Sequence, residues 1–156
     1  MGDALARIFE AQGHRVIRQN HVGDWGTQFG MLITHLQDQI ELDSDVKLAD
    51  LEVFYRESKV RFDAEAVFAE RARGNVVKLQ NGDDDALAMW KRFIDISVAH
   101  SEEVYSKLNV TLKHSDIYAE SAYNKALPGI IKTLKDKGLA VENQGAQVVF
   151  LDDMID

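Results

Sequence analysis

The sequence has no cysteine and only one proline in 156 residues. Without cysteine there is no disulfide framework, no thiolate metal site and no thiol nucleophile, and the chain suits a reducing compartment. A single proline, Pro128, leaves almost the whole length open to helix. Long apolar runs are missing too: no stretch approaches the roughly 20 residues that cross a bilayer, and Met1-Gly2-Asp3 opens with neither a basic nor an apolar leader. Ala6 stands where an N-myristoylation signal needs Ser or Thr. A cytoplasmic protein without a membrane partner is expected. Positive charge is also short: 18 Lys and Arg face 26 Asp and Glu, a formal charge of -8. That balance repels phosphate backbones unless the cations gather on one face.

Several standard site signatures are absent as well. There is no Gly-x-Gly-x-x-Gly dinucleotide turn, no phosphate loop ending in Gly-Lys-Ser/Thr, and no Gly-x-Ser-x-Gly nucleophile elbow. His14, His21, His35, His100 and His114 are scattered, with no ligand spacing, so no metal site is expected.

What is present is an ordinary globular mixture, 46% apolar and 28% charged, sufficient for one packed core. Apolar residues recur every three or four positions. They predict helices over residues 3–12, 25–39, 48–61, 64–79 and 84–107, the second carrying Phe29, Leu32, Leu36 and Ile40 on one stripe. The acidic run 41–45 breaks that stripe, Gly13 stops the first helix, and Asp24 is placed to cap the second. Pro128 opens a further helix that Gly138 terminates. Residues 14–19 and 108–112 alternate as short strands, and Asn143-Gln144-Gly145 is a hairpin signal between residues 139–142 and 147–151. The expected class is α/β, with a helix-strand-helix unit joined to a mainly helical region that carries a small sheet.

The unusual stretch is Asn20 to Gly30, with three glycines, a Trp, a Gln and an Asp at a strand-to-helix junction. Glycines there let backbone approach a ligand, and the helix start offers amides to an anion. The same composition also serves a purely structural turn and cap.

The run Asn20-His21-Val22-Gly23-Asp24-Trp25-Gly26-Thr27-Gln28-Phe29-Gly30 resembles a segment of the nucleotide-binding fold of bacterial arginyl-tRNA synthetases, class I enzymes. The resemblance extends over essentially the whole chain, through Gly2-Asp3-Ala4-Leu5, Phe54-Tyr55-Arg56, Glu120-Ser121 with Tyr123-Asn124, Leu127-Pro128-Gly129 and Gly145-Ala146. It implies that residues 1–40 belong to the class I nucleotide-binding (Rossmann-like) fold and residues 41–156 to an inserted connective-type subdomain. It also implies L-arginine, ATP with Mg²⁺, and tRNA(Arg) as the partners of an intact enzyme that forms arginyl-adenylate and passes arginine to the tRNA 3′ end. Asn20, His21, Gly23, Asp24, Trp25, Gly26 and Gln28 are carried over as cleft-lining residues, without individual catalytic roles. His21 is a candidate general base or a hydrogen-bonded structural His.

The family's His-Ile-Gly-His signature, its Lys-Met-Ser-Lys-Ser-type loop, the second half of its nucleotide-binding fold and its anticodon-binding domain are not among these residues. The expectation is therefore an internal segment, inactive in isolation and binding tRNA weakly or not at all. Adenylate formation needs charge stabilisation assembled around one cleft. The alternative is a freestanding helical interaction module without catalysis. Arg56, Lys59, Arg61, Arg71, Arg73 and Lys78 either form a local basic surface or are helix-face cations paired with nearby acids. Asp24→Ala is expected to cost the second helix about 1 kcal/mol through its lost cap.

Overall fold

Helix stop signals and apolar periodicity set most of the architecture. A computed structural model describes residues 1–42 and 51–151. Among the described residues six α-helices form: α1 (Gly2–Ala11), α2 (Thr27–Leu42), α3 (Leu51–Ala64), α4 (Ala66–Gln80), α5 (Asp84–Lys107) and α6 (Leu127–Asp136). The expected residues 48–50 at the start of α3, and the acidic positions 43–45, lie outside the described residues. At the end of α1, Gly13 takes φ +86°, so that its own N–H reaches the Glu10 carbonyl and the His14 N–H that of Phe9. This double closure needs a left-handed residue. Asp83 caps α5 by accepting from the Ala86 N–H at 3.0 Å, with Asp84 and Asp85 in the first turn favouring its positive end.

The chain divides into two units, Met1–Glu120 and Ser121–Asp156. In the first, Phe29, Leu32, Ile33 and Leu36 of α2 meet Phe54 of α3, Leu79 of α4, and Ala86 and Phe93 of α5 in one core. Burying each large side chain contributes about 1.5–3 kcal/mol. Ile40, read as part of the same stripe, is exposed. Met31 packs with Phe68 and Ala72 in a second cluster between α2 and α4. Those helices also share a buried polar contact that the apolar pattern did not announce. Thr34 Oγ1 donates to the Gly30 carbonyl at 2.7 Å and accepts from Asn75 Nδ2 at 2.8 Å, and Asn75 Nδ2 also donates to Gln37 Oε1 at 2.9 Å.

In the second unit, α6 precedes an antiparallel hairpin of β1 (Val141–Asn143) and β2 (Ala146–Val148), with Val141 opposite Val148. Gln144 and Gly145 both have positive φ, 51° and 81°, which gives the two-residue turn the twist of its strands.

Two expected strands do not form. Residues 14–19 make no ladder, and only Asn20 pairs, in a single parallel bridge to Ile117. Alternation marks an extended chain, but a strand needs a neighbour for its amides. Residues 108–112 fail for a local reason: Leu108 ends α5, Asn109 turns to φ 53°, and the Thr111 N–H goes to the Asp3 carboxylate instead of a ladder. The observed class is thus mostly helical with one two-stranded sheet. Among the described residues no helix is long and apolar enough to cross a membrane.

One buried histidine links pH to stability. His35, 3% exposed, packs its ring 4.5 Å from that of Phe54. Arg61 Nη1 lies 3.1 Å from His35 Nδ1. Because a guanidinium only donates, Nδ1 is the acceptor and the ring is neutral with its proton on Nε2. Nε2 is 3.5 Å from Glu57 Oε2. Burial depresses the His35 pKa below its ordinary 6.5, and the Arg61 charge adds to this while Glu57 and Asp38 oppose it. The unfolded chain then takes up the proton first as pH falls. The contribution to stability is complete above about pH 6.5 and declines as pH drops toward the depressed folded value. Urea midpoints measured between about pH 7.5 and 5 should fall with acid in the parent, and less steeply in His35→Gln, which cannot titrate there.

Candidate functional site

The Asn20–Gln28 segment is shaped by pins on its main chain. Its first half runs beside residues 116–120: the Asn20 N–H donates to the Asp116 carbonyl at 2.6 Å, the Tyr118 N–H to the Asn20 carbonyl at 2.9 Å, and the Glu120 N–H to the Val22 carbonyl at 3.1 Å. Asn20 Nδ2 also donates to the Tyr105 hydroxyl of α5 at 3.2 Å. The turn itself is held from four directions. Gln28 Nε2 donates to the Gly23 carbonyl at 3.2 Å, Trp90 Nε1 to the Asp24 carbonyl at 2.7 Å, and Gln80 Nε2 to the Trp25 carbonyl at 3.4 Å. The Trp25 N–H donates to Glu120 Oε2 at 3.3 Å. The Trp25 ring stands edge-on to Trp90 with centroids 5.5 Å apart.

All seven residues singled out in the sequence fall in this one turn, in different settings. His21 and Gly23 are exposed, Asn20, Trp25, Gly26 and Gln28 are half-buried, and Asp24 is buried at 2% exposure. Asp24 is not the residue that opens α2: the helix starts at Thr27, and the Phe29 N–H bonds back to the Gly26 carbonyl. Asp24 lies three residues upstream of that start, buried, with its carbonyl accepting from Trp90. Gly30, grouped with the turn glycines, serves helix packing. A side chain there would begin 2.2 Å from the Ala72 carbonyl oxygen, so the backbone it approaches is α4 and not a ligand.

The residues that hold the turn were harder to find in the sequence. Trp90 and Tyr105 lie within the expected helix 84–107 and Gln80 just past the expected helix 64–79, with nothing in their local pattern to mark a contact with the turn. Glu120 was visible only within the resemblance, with no role. Its carboxylate is exposed, Oε1 is 3.7 Å from where a Gly23 side chain would start, and among the described residues no Lys or Arg forms an ion pair with it. Beside the turn opens a cleft of about 730 Å³ with Gly23 and Gln28 at its edge, Phe29 and Leu32 as apolar wall, and Tyr55, Ser97 and His100 as polar lining. This is the size and mixture of a small-molecule site.

The basic side chains are largely occupied. Arg56 pairs with Glu52, Lys59 with Asp63, Arg61 with Asp38 and Glu65, and Arg71 with Asp38, while Arg73 lies over the Phe62 ring. Those are helix-face pairings, not an open phosphate-binding surface. Among the described residues there is no group of three or more His, Asp or Glu able to hold a metal ion.

One pin can be tested directly. Trp90→Phe keeps an aromatic edge against Trp25 but removes the donor to the Asp24 carbonyl, and should destabilise the chain by about 1–2 kcal/mol. Urea unfolding followed by Trp25 fluorescence measures it, and an unchanged midpoint would remove Trp90 from the pins.

The profile of the family described as tRNA synthetases class I (R), catalytic domain, matches residues 1–156. The arginine-tRNA ligase of Pseudoalteromonas translucida is 62% identical over 157 residues, and that of Alteromonas mediterranea 60% over 157 residues. The alignments take in 99% and 100% of this chain but 27% of each relative, so the chain spans about a quarter of their length. The crystal structure of arginyl-tRNA synthetase from Plasmodium falciparum superposes with a TM-score of 0.76 at 29% identity, covering 97% of this chain and 25% of that one. These matches show that the chain belongs to the catalytic-domain family of the class I arginyl-tRNA synthetases.

Proposed function

We propose that the chain forms one wall of the amino-acid-binding cleft of an arginyl-tRNA synthetase, which activates L-arginine with ATP and transfers it to tRNA(Arg) in the cytoplasm. The observation that carries this is the Glu120 carboxylate, exposed at the Gly23 turn and, among the described residues, without a cation of its own. Arginine brings a guanidinium and an ammonium, and a carboxylate is the acceptor that matches either. Glu120 is held there by its own N–H on Val22 and by the Trp25 N–H on Oε2, and its Oε1 lies beside Gly23, which edges the cleft.

The reaction divides the labour. The arginine carboxylate attacks the α-phosphorus of ATP, pyrophosphate leaves, and negative charge builds on the phosphates. Of Asn20, His21, Gly23, Asp24, Trp25, Gly26 and Gln28, none is a Lys or Arg. This wall therefore orients the amino acid, and phosphate stabilisation falls to other parts of the enzyme. Mg²⁺ fits the same division. The described residues offer it no cluster, and it enters as the companion of ATP.

The resemblance assigns residues 1–40 to a Rossmann-like fold and residues 41–156 to an insertion, and the parallel bridge from Asn20 to Ile117 runs across that boundary. That boundary is one of origin and not of packing, since α2 shares its core with α3, α4 and α5. Leu5, Ile8 and Phe9 of α1, and Leu127 and Ile130 of α6, stand exposed, as expected of faces that a larger catalytic body covers. With a formal charge of -8, and with Arg61 and Arg71 paired to Asp38, the chain contributes little to tRNA affinity alone.

The test is charging by the full-length protein that contains these residues. Arginine should be attached to tRNA(Arg) in preference to lysine, whose single ammonium cannot replace the planar guanidinium. Failure to charge arginine would reject the reading.

A further inference from the structure

Three stretches of chain meet at one carboxylate outside the turn. Asp3, in the first turn of α1, accepts through Oδ1 from Arg18 Nη1 at 2.7 Å, from the Thr111 N–H at 3.0 Å and from the Thr111 hydroxyl. Through Oδ2 it accepts from Arg7 Nε at 2.8 Å. Arg18 spends the rest of its fork on Glu10, at 3.1 and 2.9 Å, and Arg7 also donates to the Asn109 carbonyl. The Asp3 and Arg18 side chains keep 12% and 14% of their exposure. Two guanidiniums and two carboxylates balance, so the node is shielded without leaving a net charge.

Its position matters more than its strength. Residues 14–19 have no ladder; His14 contacts Phe9 at the start of that extended stretch, and the forked contact of Arg18 ties its end to α1. Two residues further on, Asn20 begins the wall. The same carboxylate holds Thr111, on the stretch that leads to residues 116–120, against which Asn20 and Val22 are paired. Both sides of the wall are thus referred to one atom group on α1.

We infer that Asp3 is a positioning residue for the Asn20–Gly26 turn, acting through Arg18 and Thr111; this rests on the reading of that turn as a cleft wall. Asp3→Asn keeps the volume but replaces one acceptor oxygen with a donor and removes the charge facing two guanidiniums. The turn then loses its fixed distance from α1, while Glu120 keeps its bond to Val22. Displacing a catalytic wall by about 1 Å is enough for a loss near 100-fold.

The experiment uses the full-length synthetase, with active sites counted by the burst of adenylate formed so that misfolded protein does not enter the rate. Asp3→Asn should lower kcat per active site about 100-fold with the KM for arginine changed less than about threefold. Arg18→Ala should do the same, and the double variant should be no worse than either single. A purely structural role would reduce the number of active sites and leave kcat per site unchanged; that result, or single losses that multiply in the double variant, overturns the inference. If Asp3→Asn gives no soluble protein, Arg18→Lys, which keeps the charge but not the fork, should still lower kcat per site, and unchanged kcat there overturns it equally. A wild-type protein that charges no arginine defeats the underlying reading, and this inference falls with it.

Discussion

Glu120→Gln in the intact synthetase should raise the KM for arginine roughly 30- to 150-fold and change the KM for ATP by less than about threefold. The size follows from exchanging a charge-assisted bond to a guanidinium or ammonium for a neutral amide contact, worth about 2–3 kcal/mol at a partly desolvated site. Glutamine retains a carbonyl oxygen for the Trp25 N–H, and the bond from the residue 120 N–H to the Val22 carbonyl is untouched. The turn keeps its shape, so the change reads recognition and not folding. Steady-state kinetics with each substrate varied in turn supply the measurement. Equal changes for arginine and ATP would mean that Glu120 supports the cleft without touching the amino acid.

Gly30→Ala should destabilise the chain by about 3 kcal/mol. The new methyl would start 2.2 Å from the Ala72 carbonyl oxygen and 2.5 Å from Val76 Cγ2. Valine can rotate, but a helix carbonyl cannot, so α2 and α4 must move apart. That separation loosens Met31 from Phe68 and Ala72 and stretches the 2.8 Å bond from Asn75 to Thr34. Overpacking costs about 1–3 kcal/mol and a strained buried hydrogen bond about 1 more. The helix preference for Ala over Gly returns up to about 1 kcal/mol. For a chain of this size the melting temperature should fall by about 6–12 °C, and calorimetry decides it. A fall of under about 2 °C would show that α4 yields without loss.

These two residues also mark what a sequence reading reaches. The long helices were legible because burial repeats every three or four residues, and the ends at Gly13 and Gly138 were legible because their backbone chemistry is local. The strands expected at 14–19 and 108–112 were not, because alternation states a preference while a ladder needs a partner. The site shows the same division. Asn20 to Gln28 stood out by composition, yet Gly30, grouped with the turn glycines, serves an interhelical contact. Glu120 and Trp90 act on the turn from 95 and 66 residues away, and nothing in their local sequence points to it.

The exposed apolar faces of α1 and α6, the shortage of cations in the turn and the coverage of about a quarter of each relative all bear on one claim, that this wall needs the rest of its enzyme to act. Arginine-dependent exchange of pyrophosphate into ATP, assayed with tRNA(Arg) present, tests it most directly. The 156-residue chain alone should give no exchange above background while the full-length protein turns over. Sustained exchange by the chain alone would contradict the account.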